Sequence, residues 1–573
     1  MSLRNLKNKW LIAIMLIVGC ICSVYFYFIY LVNKTDTIDV KSYLSNLIIK
    51  GSDSLYNFTI GDFIIDPTID GGILTQLDLR INLNKFEALK EKNLLPNILV
   101  EGTVDTIRLT NIEISKLLGN TKDVVIDEIK LSGTNMHLYQ YSNKIKNRPG
   151  LNPTKYLYNI IKPGLNNITI RNINIDDCKV TFDPAGKLDK KNPFWKFDNL
   201  DLRLHDFRID STSALDTSRV LYSSYIEMIV KQFKIKTPDD LYKISVDTFN
   251  FDSREGNAHL QNILIQPLTD AKGFFQKKKF AAGMLSVVIP NILLNGLNMN
   301  ALLTSNSIFA DQLILKNGNI KILKDKTKGD PKVSKNGKYL NQLLGKLKIN
   351  IHISQINILN QQLTYSEINT KTGKPGHIYF EDINGVIKNL TNTPFLNRDK
   401  WITFNCAANF MKSSPLNLSL AFDMADTKSG RFKLQYDLEN LHSYQINELL
   451  TNLALAKMES FYLKKLIYSG TGSTEQLTGS LNMNYTDLKI ALLKNDKETN
   501  EIAKNKSLSF LANFIKIIDE NPHNGKERIS KHLQTTRPYH KGFFALLWFN
   551  LMDNMLEIIM KGDPPEKIKK KRK

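Results

Sequence analysis

A repeated spacing of apolar residues constrains the fold of this chain more than any other feature of its sequence. The pattern is Φ-x-Φ-x-x-Φ-x-Φ-x4-Φ-x-Φ, where Φ is an apolar residue. Four copies begin at Val124, Ile168, Ile308 and Ile351, and a fifth, shortened copy begins at Ile244. Self-similarity of this kind indicates one repeat architecture rather than several unrelated domains.

Each copy predicts β-strand, because Φ-x-Φ places both apolar side chains on one face of a strand. The x-x step would turn the following residues to the other face, so we expect a bulge or bend there. The x4 gap often holds Asn, Asp or Gly, which favour a tight reversal into an antiparallel neighbour. The sequence therefore predicts a mainly β protein: an elongated, curved antiparallel sheet with one apolar and one polar face.

The apolar face has two interpretations. Either a second layer of the protein covers it as an ordinary core, or it stays open as a groove for lipid chains. The sequence offers few amphipathic helices to cover so many strands, which favours the groove. The candidate groove-lining residues are Ile129, Leu131, Ile173, Ile175, Val180, Phe182, Leu313, Leu315, Ile356, Ile358, Leu363 and Tyr365.

An uncharged stretch of 23 residues, 10–32, precedes the repeats. As a helix it would be about 34 Å long, enough for a hydrocarbon core of about 30 Å. Basic residues precede it and acidic residues follow, so residues 1–9 are expected in the cytoplasm and the rest across the membrane. A cleaved signal peptide, or a lipoprotein processed before Cys20, is less consistent with the sequence than an uncleaved transmembrane helix.

The C-terminal part changes character. Residues 501–560 predict a helical segment with an amphipathic helix, and residues 561–573 form a basic tail. The alternative is a helix that caps the groove, followed by a solvated tail. The candidate membrane-surface residues are Phe543, Phe544, Trp548, Phe549, Lys569, Lys570, Lys571 and Arg572.

The sequence gives no sign of an enzyme. It lacks GxxxxGK[ST], GxGxxG, HExxH, CxxC and GxSxG, and its nine histidines are scattered, so we expect no catalytic residue, no metal and no cofactor. The net charge of +21 is spread out, apart from a basic stretch at residues 324–338. We interpret this stretch as a solvated loop. Cys178 and Cys406 either pair or remain free thiols.

Four stretches carry a resemblance to a known family. They are residues 106–140 (TIRLTNIEISKLLGNTKDVVIDEIKLSGTNMHLYQ), 308–323 (IFADQLILKNGNIKIL), 414–450 and 477–493. With the single anchor, they are similar to the AsmA-like family of Gram-negative envelope proteins, related to TamB and YhdP. The resemblance implies a long β-groove in the periplasm that takes part in phospholipid transport or outer-membrane biogenesis, without catalytic residues.

Together these observations predict a protein of the bacterial inner membrane whose bulk is periplasmic. The expected segments are a repeated β-groove at 33–395, a C-terminal AsmA-like β region at 396–500, and the helix and tail described above. The expected partners are phospholipid, the inner membrane through residues 10–32, and outer-membrane or envelope proteins, but not nucleic acid. The alternative function is a structural scaffold for envelope assembly that conducts no lipid.

Overall fold

The computed structural model describes residues 45, 49, 52, 54–92, 95, 98–113, 123–140, 166–183, 195–213, 216, 218–237, 239–305, 307–370, 372–393, 400–495, 502–504 and 517–561. The predicted cytoplasmic segment, the predicted anchor at 10–32 and tail residues 562–573 lie outside them. No helix in this described part is long and apolar enough to cross a membrane. The described part of the chain is mainly β, with 62% of its residues in strands of a mixed sheet and few helices.

The chain packs into two compact units. The described residues of 1–262, together with Leu293–Phe309, form unit 1. Residues Ile263–Ile292, together with the described residues of 310–573, form unit 2. Each unit has its own hydrophobic core.

The described part of unit 1 up to residue 252 is an N-terminal series of strands with one complete α-helix. The strands are β1 (Tyr56–Thr59), β2 (Phe63–Asp66), β3 (Gly71–Ile81), β4 (Ile98–Ile112), β5 (Asp123–Ser132), β6 (Asn135–Gln140), β7 (Asn167–Asp183), β8 (Trp195–Ile209), β9 (Tyr225–Lys236) and β10 (Tyr242–Asp252). The helix is α1 (Leu83–Glu91), which Asn82 caps by accepting a hydrogen bond from the Lys85 amide.

Three strands are divided between the units: β11 (Asn257–Pro267), β12 (Ala282–Asn295) and β13 (Ser307–Lys316). Helix α2 (Ala271–Gln276) follows β11, and helix α3 (Met299–Ser305) follows β12.

In addition to α2, the described part of unit 2 contains the remaining strands and three further helices. The strands are β14 (Asn319–Asp325), β15 (Asn350–Ile368), β16 (Pro375–Thr391), β17 (Trp401–Phe410), β18 (Ser414–Asp423), β19 (Phe432–His442), β20 (Ala456–Gly472), β21 (Gln476–Asn495), β22 (Ile502–Lys504) and β23 (Ile529–Thr536). The helices are α4 (Leu340–Gly345), α5 (Ser443–Ala454) and α6 (Phe543–Ile559). Strands β22 and β23 both lie inside the segment 501–560 predicted to be helical.

Copies of the repeat lie side by side in parallel. Strands β5 and β6 both pair with β7, and each residue faces the one 44 positions later, which is the spacing between the first two copies. Strand β14 pairs in the same way with β15 at a spacing of 43, the distance between the last two copies. Equivalent apolar residues are therefore neighbours across the sheet, for example Ile129 beside Ile173 and Ile320 beside Leu363.

The predicted reversal at the x4 gap is wrong. Strands β5 and β6 continue along one line, because both pair with β4 on one side and with β7 on the other. In every full copy the tenth residue of the motif has a positive φ: Gly133 (64°), Asp177 (48°), Asn317 (56°) and Asn360 (51°). A two-residue hairpin turn of type I′ needs two such residues in succession, whereas a single one produces a bulge. The chain therefore continues past the gap instead of reversing, and neighbouring copies pair in parallel. The prediction of an entirely antiparallel sheet is wrong.

The distortion expected at the x-x step lies on the neighbouring strand instead. In three copies the antiparallel partner places a residue of positive φ opposite the first x, and the register does not shift there. The register of the pairs on either side places Asn111 opposite Asp127, Asp206 opposite Arg171, and Asn389 opposite Ser354. The local bend lets the apolar residues on both sides of the step share one face.

In unit 1 the protein's own side chains fill the apolar face. Phe86 of α1 and Phe58 of β1 belong to the same buried cluster as the apolar rows of β4 to β9. Ile126, Ile129, Ile170 and Ile173 in these rows have no measurable exposure. This face is therefore an ordinary hydrophobic core.

In unit 2, helix α6 covers part of the apolar face. It packs against β21 and β23, and its own residues Leu546 and Ile558 are buried. Asn550 is also fully buried: its Nδ2 donates to the carbonyls of Leu477 (3.0 Å) and Leu533 (2.8 Å), and its Oδ1 accepts from the Tyr468 hydroxyl (2.6 Å). A buried amide with all these partners fixes the position of the helix on the sheet.

Candidate functional site

The apolar face of unit 2 continues beyond helix α6, across strands β14 to β18. The pairing registers place apolar residues side by side in successive rows. The rows are Ile322, Tyr365 and Ile378; then Ile320, Leu363, Phe380 and Phe410; then Ile356, Ile387, Phe404 and Leu420. Along β15 this face runs from Ile351 to Tyr365, about 46 Å at 3.3 Å per residue.

Most side chains of this surface are only half-buried, although they are large and apolar. Ile320, Leu363, Phe380, Ile387 and Phe404 all keep part of their surface exposed. They belong to neither of the two hydrophobic clusters, so no core of the described residues closes over them. In the same rows, Ile378 and Phe410 do pack against the core cluster of unit 2. We call the half-exposed part of β14 to β17 outside both clusters the open face.

Three elements surround the open face. Helix α6 packs against β21 and β23, and its first residue, Phe543, contacts Phe422 at the end of β18. Leu453 of α5 lies against Gly376 at the start of β16. The connection between β14 and β15 carries Tyr339. Its ring centroid is 6.0 Å from that of Phe432 and 5.0 Å from that of Phe543. The open face is thus bordered by packed structure of the same unit.

A charged cavity lies where β14 and β15 end. Its volume is about 360 Å³, and its lining includes Lys326, Asp330 and Glu367. Lys326 Nζ is 2.6 Å from Glu367 Oε1, and Lys541 Nζ is 2.5 Å from Asp330 Oδ2. Lys324 Nζ approaches Asp330 Oδ1 at 3.7 Å. We call these five residues the charged end.

The charged end continues the rows of the open face. Lys324 and Glu367 are paired neighbours, one step of alternation beyond Ile322 and Tyr365. The Tyr365 hydroxyl donates to Glu367 Oε2 at 2.7 Å, which links the two surfaces. Apolar rows and a charged cavity therefore adjoin along the same two strands.

Burial acts on two groups of the charged end, Lys324 and Asp330. It lowers the pKa of Lys324, and the ammonium groups of Lys326 and Lys541 add to this effect while Asp330 opposes it. Burial would raise the pKa of Asp330, but the hydrogen bond from Lys541 and the charge of Lys324 hold it below its usual value. The carboxylate is thus ionised and shared between two lysines.

The opposite face of β16 to β19 is polar. Asn384, Asn405, Asn417, Ser419 and Gln435 line a shallow depression of about 470 Å³ there. Because successive residues of a strand point to opposite faces, Phe404 and Asn405 lie on opposite faces of the sheet.

The predicted groove-lining residues divide between the two units. The six in unit 1 are at most 5% exposed: Ile129, Leu131, Ile173, Ile175, Val180 and Phe182. In unit 2, Ile356 is also buried, whereas the others are half-buried on β13 and β15: Leu313, Leu315, Ile358, Leu363 and Tyr365. Only unit 2 therefore offers part of the predicted lining to a ligand.

The predicted membrane-surface residues also divide. Phe543 packs against the rings of Phe422 (5.6 Å) and Phe432 (5.0 Å), while Phe544 and Trp548 on the outer side of α6 are 81% and 54% exposed. Phe549 is half-buried. The basic residues Lys569, Lys570, Lys571 and Arg572 lie outside the described residues.

Cys178 and Cys406 are free thiols. Burial raises the pKa of Cys178 to about 12 and that of Cys406 to about 11, so both are protonated at neutral pH. Within the described part of the chain, no three His, Cys, Asp or Glu residues cluster so as to hold a metal ion.

Sequence reasoning missed the charged end and treated residues 324–338 as a solvated loop. The loop is instead held by Lys541, which binds Asp330, and by Arg537, which donates to the Asn336 side chain. One signal was present: adding the repeat spacing of 43 to Lys324 gives Glu367, so the repeat itself places these opposite charges side by side.

Comparison with known proteins adds no name to these features. No protein-family model matches the chain, and no curated protein matches it significantly. The resemblance to the AsmA-like family stays a prediction.

Proposed function

We propose that the open face of unit 2 binds the acyl chains of phospholipids. The observation that carries the proposal is the contrast between the two units: the same repeat is filled by protein in unit 1 and left half-exposed in unit 2. Contiguous exposed apolar surface on this scale is typical of a binding site rather than of an ordinary protein surface.

The binding is passive and requires no catalytic group. Acyl chains would lie on the Ile, Leu and Phe rows, and each buried CH2 contributes about 0.8 kcal/mol. Because the rows repeat with similar side chains, neighbouring positions along the face bind a chain with similar free energy. The proposed role is that of a non-enzymatic envelope protein in phospholipid transport or outer-membrane biogenesis, in agreement with the family resemblance.

The alternative is a scaffold whose open face is covered by another protein. A photo-crosslinking residue distinguishes the two. The full chain is produced in Gram-negative cells with p-benzoylphenylalanine in place of Phe404, an aromatic residue of similar shape on the open face. The matched control carries the same residue in place of Asn405, which is next in sequence but on the polar face.

After irradiation, mass spectrometry of the purified protein identifies the adducts. We expect phospholipid adducts at position 404 and none above background at position 405. Protein adducts at 404 without lipid would support the scaffold and contradict the proposal, as would equal lipid labelling at both positions.

A further inference from the structure

The charged end has an unbalanced charge. Three ammonium groups, those of Lys324, Lys326 and Lys541, surround the two carboxylates of Asp330 and Glu367. The formal charge of the cluster is therefore +1. One monovalent anion would neutralise it.

The surroundings of the cluster make such an anion favourable. The side chains of Lys324, Lys326 and Lys541 are 32%, 38% and 31% exposed, so about two thirds of each side chain is withdrawn from water. The cavity beside them, about 360 Å³, is large enough for a group bigger than a water molecule. Hydrogen bonds from ammonium to phosphate oxygens are among the stronger ones in proteins.

The position of the cavity restricts the ligand. Tyr365 and Ile322 are the last apolar pair of the open face, and Glu367 and Lys324 follow about 7 Å further along the strands. Leu453 of α5 also lines the cavity and adds an apolar wall. A ligand with its anionic group in the cavity would therefore have its apolar part on the open face.

We propose that the charged end is a binding site for the phosphodiester of a phospholipid head group, with the acyl chains on the open face. This inference rests on the proposed function and assigns the polar half of the same ligand. Lys326, which lines the cavity, donates to a phosphate oxygen, and Lys324 and Lys541 supply the neutralising charge. A free phosphate ester shares this chemistry, so the test must separate it from a lipid.

The test compares three probes on the full chain in detergent, titrated by native mass spectrometry. They are dioleoylphosphatidylglycerol, dioleoylglycerol with the same chains but no phosphate, and glycerol 3-phosphate without chains. We expect the phospholipid to bind about tenfold more tightly than dioleoylglycerol, the ratio expected for one charge-assisted hydrogen bond. Glycerol 3-phosphate is expected to bind far more weakly than either lipid.

Two substitutions act in opposite directions. Lys326→Gln should reduce the preference for the phospholipid to less than about threefold, and Glu367→Gln, which raises the cluster's charge, should increase it. Lys332→Gln is the control, because Lys332 is exposed on the same connection and the charge change is identical. It should leave the preference unchanged.

Each of the following binding results would contradict a different part of the proposal. Equal binding of the phospholipid and dioleoylglycerol by the unaltered protein would reject the head-group site while the open face remained a lipid site. Binding of glycerol 3-phosphate as tight as that of the phospholipid would replace it with a site for free phosphate esters. Equal losses in Lys326→Gln and Lys332→Gln would show general electrostatic attraction only, and failure of both lipids to bind would reject the proposed function as well.

Discussion

Two leucines at the same position of the repeat should respond very differently to truncation. Leu131 and Leu315 are both the eighth residue of their copies, and Leu131 is 4% exposed in the filled core of unit 1. Leu131→Ala should cost about 3 kcal/mol, because it removes buried methyl groups and leaves a cavity. Leu315 is half-buried and belongs to neither core cluster, so Leu315→Ala should cost about 1 kcal/mol, without a cavity.

Hydrogen exchange measured by mass spectrometry suits this comparison, since a chain of two units need not unfold in one transition. On protein freed of lipid by washing, peptides of β5 and β7 should exchange about 100-fold faster in Leu131→Ala. Peptides of β13 and β15 should exchange only about fivefold faster in Leu315→Ala. Equal effects in the two variants would show that the face of unit 2 is as closed as that of unit 1 and would refute the reasoning behind the open face.

Three further predictions follow from single residues. Asn360→Val should lower stability by about 1–2 kcal/mol in thermal melting, because a β-branched residue resists the positive φ of 51°. Asn360→Gly should lower stability much less. The reverse order would contradict the assignment of a bulge. Asn550→Leu removes a hydrogen-bond partner of the Tyr468 hydroxyl and of two strand carbonyls and should cost about 3 kcal/mol. Limited trypsin digestion should then release α6, whereas Met552→Leu should stay resistant. Because the pKa of Cys406 is raised to about 11, about one thiol in a thousand is ionised at pH 8. The alkylation rate of Cys406, measured on its peptide, should rise about tenfold per pH unit up to pH 10. A plateau near pH 9 would disprove the pKa shift.

The strand content and the apolar rows could be predicted from sequence, because alternation alone determines which residues share a face. The repeat spacing also contained the register, since Ile129 and Ile173 occupy equivalent positions and lie side by side. The direction of pairing could not be predicted. Asn, Asp and Gly accept a positive φ in a bulge as readily as in a turn, so residue type at the gap does not distinguish the two.

The difference between the units was equally hidden. Leu131 and Leu315 have the same local pattern, and only elements far away in sequence, such as Phe86 of α1, determine whether their face is filled. The contact of Lys541 with Asp330 in the charged end could not be predicted for the same reason, because the two residues are 211 positions apart in the chain. Local spacing carries no information about such contacts.

The single residue of positive φ at the tenth position of each full copy has a consequence for folding. Strand β15 has 19 residues and β7 has 17, far more than the usual five or six, and long strands are prone to pair one position out of place. In β15 such a slip would misalign Asn360 with its partner Asn317 and turn the whole apolar row towards the wrong side. We therefore expect the bulge to disfavour a shifted register in these long strands, and with it the aggregation that mispaired strands promote.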